Sequence, residues 1–127
     1  MTGPRILVIS PDLMVTSRLA GLAGGCQASL ATLRSPAAPA GAGPYDLVLL
    51  DLQGLPGDAA GLVHETRRLI AGLQPLAGGE PALIAFGPHV AKQRLEEARA
   101  AGADAAISRG ELLGAFPDIV SRWCKPT

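Results

Sequence analysis

An α/β fold built on a doubly wound parallel sheet is what this sequence predicts. Short apolar runs alternate with helix-period apolar stripes five times along the chain. The runs are continuous rather than alternating, the pattern of strands covered by helices on both faces. At 127 residues and 48% apolar composition the chain suits one domain, 1–127, around one core. Aromatic content is only 3%, so that core is aliphatic.

Arg5-Ile6-Leu7-Val8-Ile9 reads as the first strand. Ser10-Pro11-Asp12 then opens a helix, with Ser10 as cap, Pro11 in the first turn and Asp12 at the positive end of the dipole. Val15, Leu19, Leu22 and Ala23 stripe this helix, and Gly24-Gly25 stops it. Cys26 to Leu33 reads as a second, Ala-rich strand. From Ser35 to Pro44 the chain holds three prolines and two glycines, which predicts a loop lying over the sheet.

The third strand, Leu47-Val48-Leu49-Leu50, ends on Asp51 and a loop containing Gly54, Pro56 and Gly57. Leu62, Val63, Thr66, Leu69, Ile70 and Leu73 mark the next helix, with His64, Glu65, Arg67 and Arg68 on its polar side. A turn-rich connection, Gln74 to Pro81, precedes the fourth strand, Ala82-Leu83-Ile84-Ala85-Phe86. Gly87-Pro88-His89 leads into a helix through Lys92, Arg94, Glu96 and Glu97, closed by Gly102. Ala103 to Ser108 is the fifth strand. Leu112, Leu113, Phe116, Ile119, Val120 and Trp123 stripe one final helix that tolerates Pro117 with distortion.

Composition limits the functional classes. Acidic and basic residues balance at 11 each, so no basic excess holds a nucleic-acid backbone. No apolar run is long enough to span a bilayer, and the amino terminus lacks a signal-peptide layout. Cys26 and Cys124 form no metal or redox motif and read as reduced thiols in a cytoplasm. No nucleophile elbow, paired-carboxylate motif, zinc spacing or Gly-rich phosphate fingerprint is present. The Ala, Gly and Pro richness points to a GC-rich bacterial source. Ligands of an open parallel sheet gather beyond the carboxyl ends of its strands, which is where Asp51 falls.

Three segments resemble the receiver domain of two-component response regulators. They are Arg5 to Asp12, Tyr45 to Asp51, and Ala100-Ala101-Gly102-Ala103-Asp104-Ala105-Ala106-Ile107-Ser108-Arg109-Gly110. The resemblance implies a flavodoxin-like sheet of order 2-1-3-4-5, here with the helix between strands two and three replaced by the Pro/Ala/Gly loop. It makes Asp51 the phosphoacceptor equivalent. The family's two metal-holding acids fall on Ser10 and Pro11, with Asp12 one place further on. The hydroxyl residue at the end of strand four falls on Gly87, or on Phe86 if the strand shifts by one, the aromatic switch on Ala106 and the lysine on Arg109. Of the signature positions only Asp51 survives.

That pattern implies a degenerate pseudo-receiver: a non-enzymatic, cytoplasmic signalling module without a cofactor. It binds a protein partner independently of phosphorylation, with no output domain and no direct contact to nucleic acid or membrane. Arg109, a flat guanidinium fork, is expected to pair directly with Asp51 and lock the mouth, so that Asp51→Asn lowers stability. His89, beside Gly87 at the same mouth, is a further recognition candidate. Two other readings stand beside this one. The first is a phosphoacceptor using Asp51, Arg109 and Asp12 with Mg²⁺. The second is an anion or small-molecule sensor at Ser10, Asp51, Gly87, His89 and Arg109.

Overall fold

Five parallel strands form the sheet: β1 (Arg5–Ile9), β2 (Ser29–Leu33), β3 (Leu47–Asp51), β4 (Ala82–Gly87) and β5 (Ala105–Ser108). Their order is β2-β1-β3-β4-β5, as the resemblance implied. The structure is a computed structural model describing residues 3–38, 43–73 and 79–124. The helices are α1 (Leu13–Gly25), α2 (Ala59–Ala71), α3 (Lys92–Ala101), α4 (Arg109–Gly114) and α5 (Phe116–Trp123).

Side chains alternate across each strand, so each central strand feeds two cores. Ile6, Val8, Leu47, Leu49, Ile84 and Phe86 pack with residues of α1, α4 and α5. Leu7, Ile9, Val48, Leu50, Leu83 and Ala85 pack with residues of α2 and α3. Every residue of β3 is buried, which accounts for its unbroken apolar run. Among the described residues between β2 and β3 none is helical, and Tyr45 from this connection joins the core on the α2 side. Residues 39–42 of that loop and 74–78 of the later connection lie outside the described residues.

The register places the candidate site. Ile9 pairs with Leu50, Asp51 with Phe86, and Gly87 with Ser108. The residues ending β1, β3, β4 and β5 therefore lie side by side at the carboxyl edge of the sheet.

Several boundaries differ from expectation for identifiable reasons. Asp12, not Ser10, caps α1: its Oδ1 accepts from the backbone N–H of Met14 at 2.9 Å and Val15 at 3.4 Å. Pro11 thus precedes the cap instead of filling the first turn. Gly24 and Gly25 do not stop α1, which includes both. The chain reverses two residues later at Gln27, with φ 59°, while the Ala28 N–H reaches the Ala23 carbonyl at 2.9 Å. β2 and β5 are shorter than read, and β4 extends through Gly87. The expected final helix is two, α4 and α5, broken at Ala115 because Pro117 fits only a first turn.

Candidate functional site

Asp51 is the centre of the carboxyl edge. It has no solvent-exposed surface, being walled in by β1 and β4 on either side. Its Oδ2 accepts the hydroxyl of Ser10 at 2.7 Å, and its Oδ1 accepts the backbone N–H of Gln53 at 2.9 Å. The second contact is the local bond aspartate commonly makes to the backbone two residues on. Ser10 is itself held: its N–H donates to the Leu33 carbonyl at 2.9 Å, and its Oγ accepts the Asp12 N–H at 3.1 Å. One hydroxyl therefore joins the buried acid to the start of α1.

Arg109 comes to the same acid from the start of α4, but not as the direct partner expected. Its Nη2 lies 4.0 Å from Asp51 Oδ1, beyond hydrogen-bond range. The same Nη2 donates to Gln53 Oε1 at 2.5 Å. Gln53 intercepts the guanidinium because its backbone already folds over the carboxylate and its amide reaches outward. The Arg109 Nε is buried with no hydrogen-bond acceptor among the described residues. The lock is thus a loose ion pair at 4.0 Å reinforced by a relay, Asp51 to Gln53 to Arg109.

Burial dominates the electrostatics and pushes the Asp51 carboxyl above its ordinary range. The Ser10 hydroxyl, the Gln53 N–H and the Arg109 cation each pull the other way. The net upward shift agrees with a guanidinium held too far away to balance the desolvated charge.

Of the other sequence candidates, Asp12 is linked to the acid only through Ser10, two hydrogen bonds away, and its carboxylate is committed to capping α1. Gly87 ends β4 and faces Leu52 and Leu95: a methyl group added to it would meet Leu52 Cβ at 3.8 Å and Leu95 Cδ2 at 4.0 Å, ordinary contacts. It borders a cavity beside the acid, not the acid's own hydrogen-bond set. His89 does not join the site. It is exposed in the turn before α3 and does not line that cavity. Gln53 was missed, although its spacing from Asp51 was the available signal.

Gly54 and Gly57 shape the loop over the site, with φ of 83° and 103°, where side chains are strained. At Gly54 a Cβ would also lie 3.1 Å from the Pro11 ring, so this loop rests directly on the end of β1.

No protein-family model matches the sequence, and no curated protein does. Solved structures do match. A response regulator receiver protein from Burkholderia phymatum is 26% identical, with a TM-score of 0.70 over 95% of this chain and 94% of that one. The receiver domain of sensor histidine kinase PA1611 from Pseudomonas aeruginosa, with magnesium coordinated in its active-site cleft, is 16% identical. Its TM-score is 0.71 over 96% of this chain and 98% of that one. A two-component response regulator from Clostridium difficile is 19% identical, with a TM-score of 0.70 over 94% and 96%. The chain has the response-regulator receiver fold. Among the described residues no helix is long and apolar enough to cross a membrane.

Proposed function

We propose that this receiver-like chain works in signal transduction as a non-enzymatic module, binding a protein partner without phosphorylation of Asp51. One observation carries the reading: each oxygen of the acid already accepts a hydrogen bond, from Ser10 or Gln53, and none of its surface meets solvent. An incoming phosphoryl group needs a free, ionised carboxylate oxygen as nucleophile. Here it would have to displace a hydrogen bond and the Gln53 loop first, at an acid whose burial disfavours ionisation.

The donor set does not suit Mg²⁺ either. That ion demands near-octahedral oxygen ligands. Ser10 and Pro11 stand where the resemblance puts acids, Asp12 is turned to its helix, and Asp51 is buried with both oxygens hydrogen-bonded. Among the described residues no group of three or more His, Cys, Asp or Glu side chains is placed to hold a metal ion. The expected outcome with a small-molecule phosphoryl donor and Mg²⁺ is an unchanged intact mass. A gain of one phosphoryl group, mapped by peptide analysis to Asp51, overturns the reading in favour of a phosphoacceptor.

A further inference from the structure

Beside the acid lies a cavity of about 260 Å³ between the loop after β3 and the start of α3. Leu52, Leu55, Pro88 and Leu95 give it aliphatic walls, and Gly87 at the end of β4 leaves its floor bare. Leu52 and Leu55 are buried, so the walls are fixed parts of the core edge rather than loose surface. Among its lining residues Arg94 is the only charged one, and no acid faces it.

Arg94 is anchored in place. Its Nη2 donates to the Leu52 carbonyl at 2.7 Å, which ties α3 across to the β3 loop. A guanidinium carries five N–H donors in a planar fork, so one bond to a neutral carbonyl leaves both its charge and most of its donors unspent. At about 30 Å³ per water in the liquid, the space corresponds to roughly eight or nine waters, a ligand of about eight non-hydrogen atoms.

We infer that this cavity is a binding site for a small aliphatic monocarboxylate, its hydrocarbon body against Leu52, Leu55 and Leu95 and its carboxylate on Arg94. Aliphatic walls with one oriented polar group are the usual make-up of a small-molecule site. A carboxylate matches the fork of a guanidinium. This inference does not depend on whether Asp51 accepts phosphate, because none of the named contacts involves that acid. Gln53 nonetheless borders both places, so a bound ligand touches the residue that closes Asp51.

The test is isothermal titration calorimetry of the intact chain with 4-methylpentanoate, which has the required size, and with its neutral amide as control. Saturable binding of the acid, weaker by roughly tenfold or more for the amide, is expected. Gly87→Val fills the floor and Arg94→Gln removes the charge. Each is expected to weaken the acid by roughly tenfold or more, while thermal melting confirms that at least Gly87→Val stays folded. Failure of the acid to bind, equal binding of acid and amide, or unchanged affinity in a folded Gly87→Val variant overturns the assignment. The phosphoryl-donor result at Asp51 is independent of all three outcomes.

Discussion

Ser10→Ala is the perturbation that probes the closed acid most simply. It deletes one hydroxyl that does two things at once: it donates to the buried Asp51 Oδ2 at 2.7 Å and accepts the Asp12 N–H at 3.1 Å. Ser10 is only 4% exposed and Asp51 is fully buried, so water does not simply replace the lost donor. A hydrogen bond to a charged group contributes about 1.5–3 kcal/mol, and a neutral one about 1 kcal/mol. Because the hydroxyl favours the ionised acid, its removal pushes the folded-state value further up than burial already does. The destabilisation is then about 1 kcal/mol in acid, where Asp51 is protonated in both variants, and about 2 kcal/mol or more once it is ionised. For a chain of 127 residues, 2 kcal/mol is a fall in Tm of roughly 5–10 °C. Urea and thermal denaturation, followed as pH is raised from about 4, the value of an unperturbed aspartate, track the change between the two penalties. A penalty under about 0.5 kcal/mol, or one that shrinks as pH rises, refutes the reasoning, because an exposed or differently paired acid would behave so.

Three further outcomes follow from the same contacts. Since burial raises the folded-state value of Asp51 above its unfolded one, its contribution to stability is lost as pH rises through the folded value. Asp51→Asn lacks that loss, so its stability relative to the parent climbs from about pH 4 to about pH 7 in urea titrations; a falling difference contradicts the upward shift. Phe86→Ala empties a fully buried position against α1, α4 and α5 and costs about 3–5 kcal/mol, read by denaturation. The Cys124 thiol is buried and pushed up to about 12, so alkylation near neutral pH followed by mass mapping labels the half-buried Cys26 first; preferential labelling of Cys124 contradicts its burial.

The sheet and its helices were legible because burial wrote them into the residues. Leu47 to Leu50 reads as a strand covered on both faces, and it is one. That no helix lies among the described residues between strands two and three was equally plain, since no regular helix accommodates prolines at that density. Termini were less legible, because they turn on competition between neighbours. Ser10 and Asp12 are both good caps, and Asp12 won because the buried acid claims the Ser10 hydroxyl, a contact 41 residues away in sequence. Pro117 was read as a distortion within one helix, whereas the chain ends α4 at Gly114 and begins again.

At the site, the company of Asp51 was read partly. The resemblance placed Ser10 and Arg109 beside it, and both are there. The expectation that Asp51→Asn lowers stability rested on a direct ion pair. With the guanidinium turned to Gln53, the desolvated charge weighs more, so any cost of Asp51→Asn is expected to shrink as pH rises. Sequence order says which residues end adjacent strands. It does not say which of two nearby groups, an amide or a carboxylate, a flexible arginine will choose.

The most direct measurement is of the Gln53 backbone amide, which donates to the acid and so reports any ligand that takes that oxygen. In a ¹⁵N-resolved NMR titration with Mg²⁺ and beryllofluoride, a phosphoryl mimic, the account predicts that the Gln53 amide and the Arg109 Nε–H resonances stay where they are. Saturable shifts of both, with the Ser10 amide moving alongside, would contradict it and return Asp51 to the class of working phosphoacceptors.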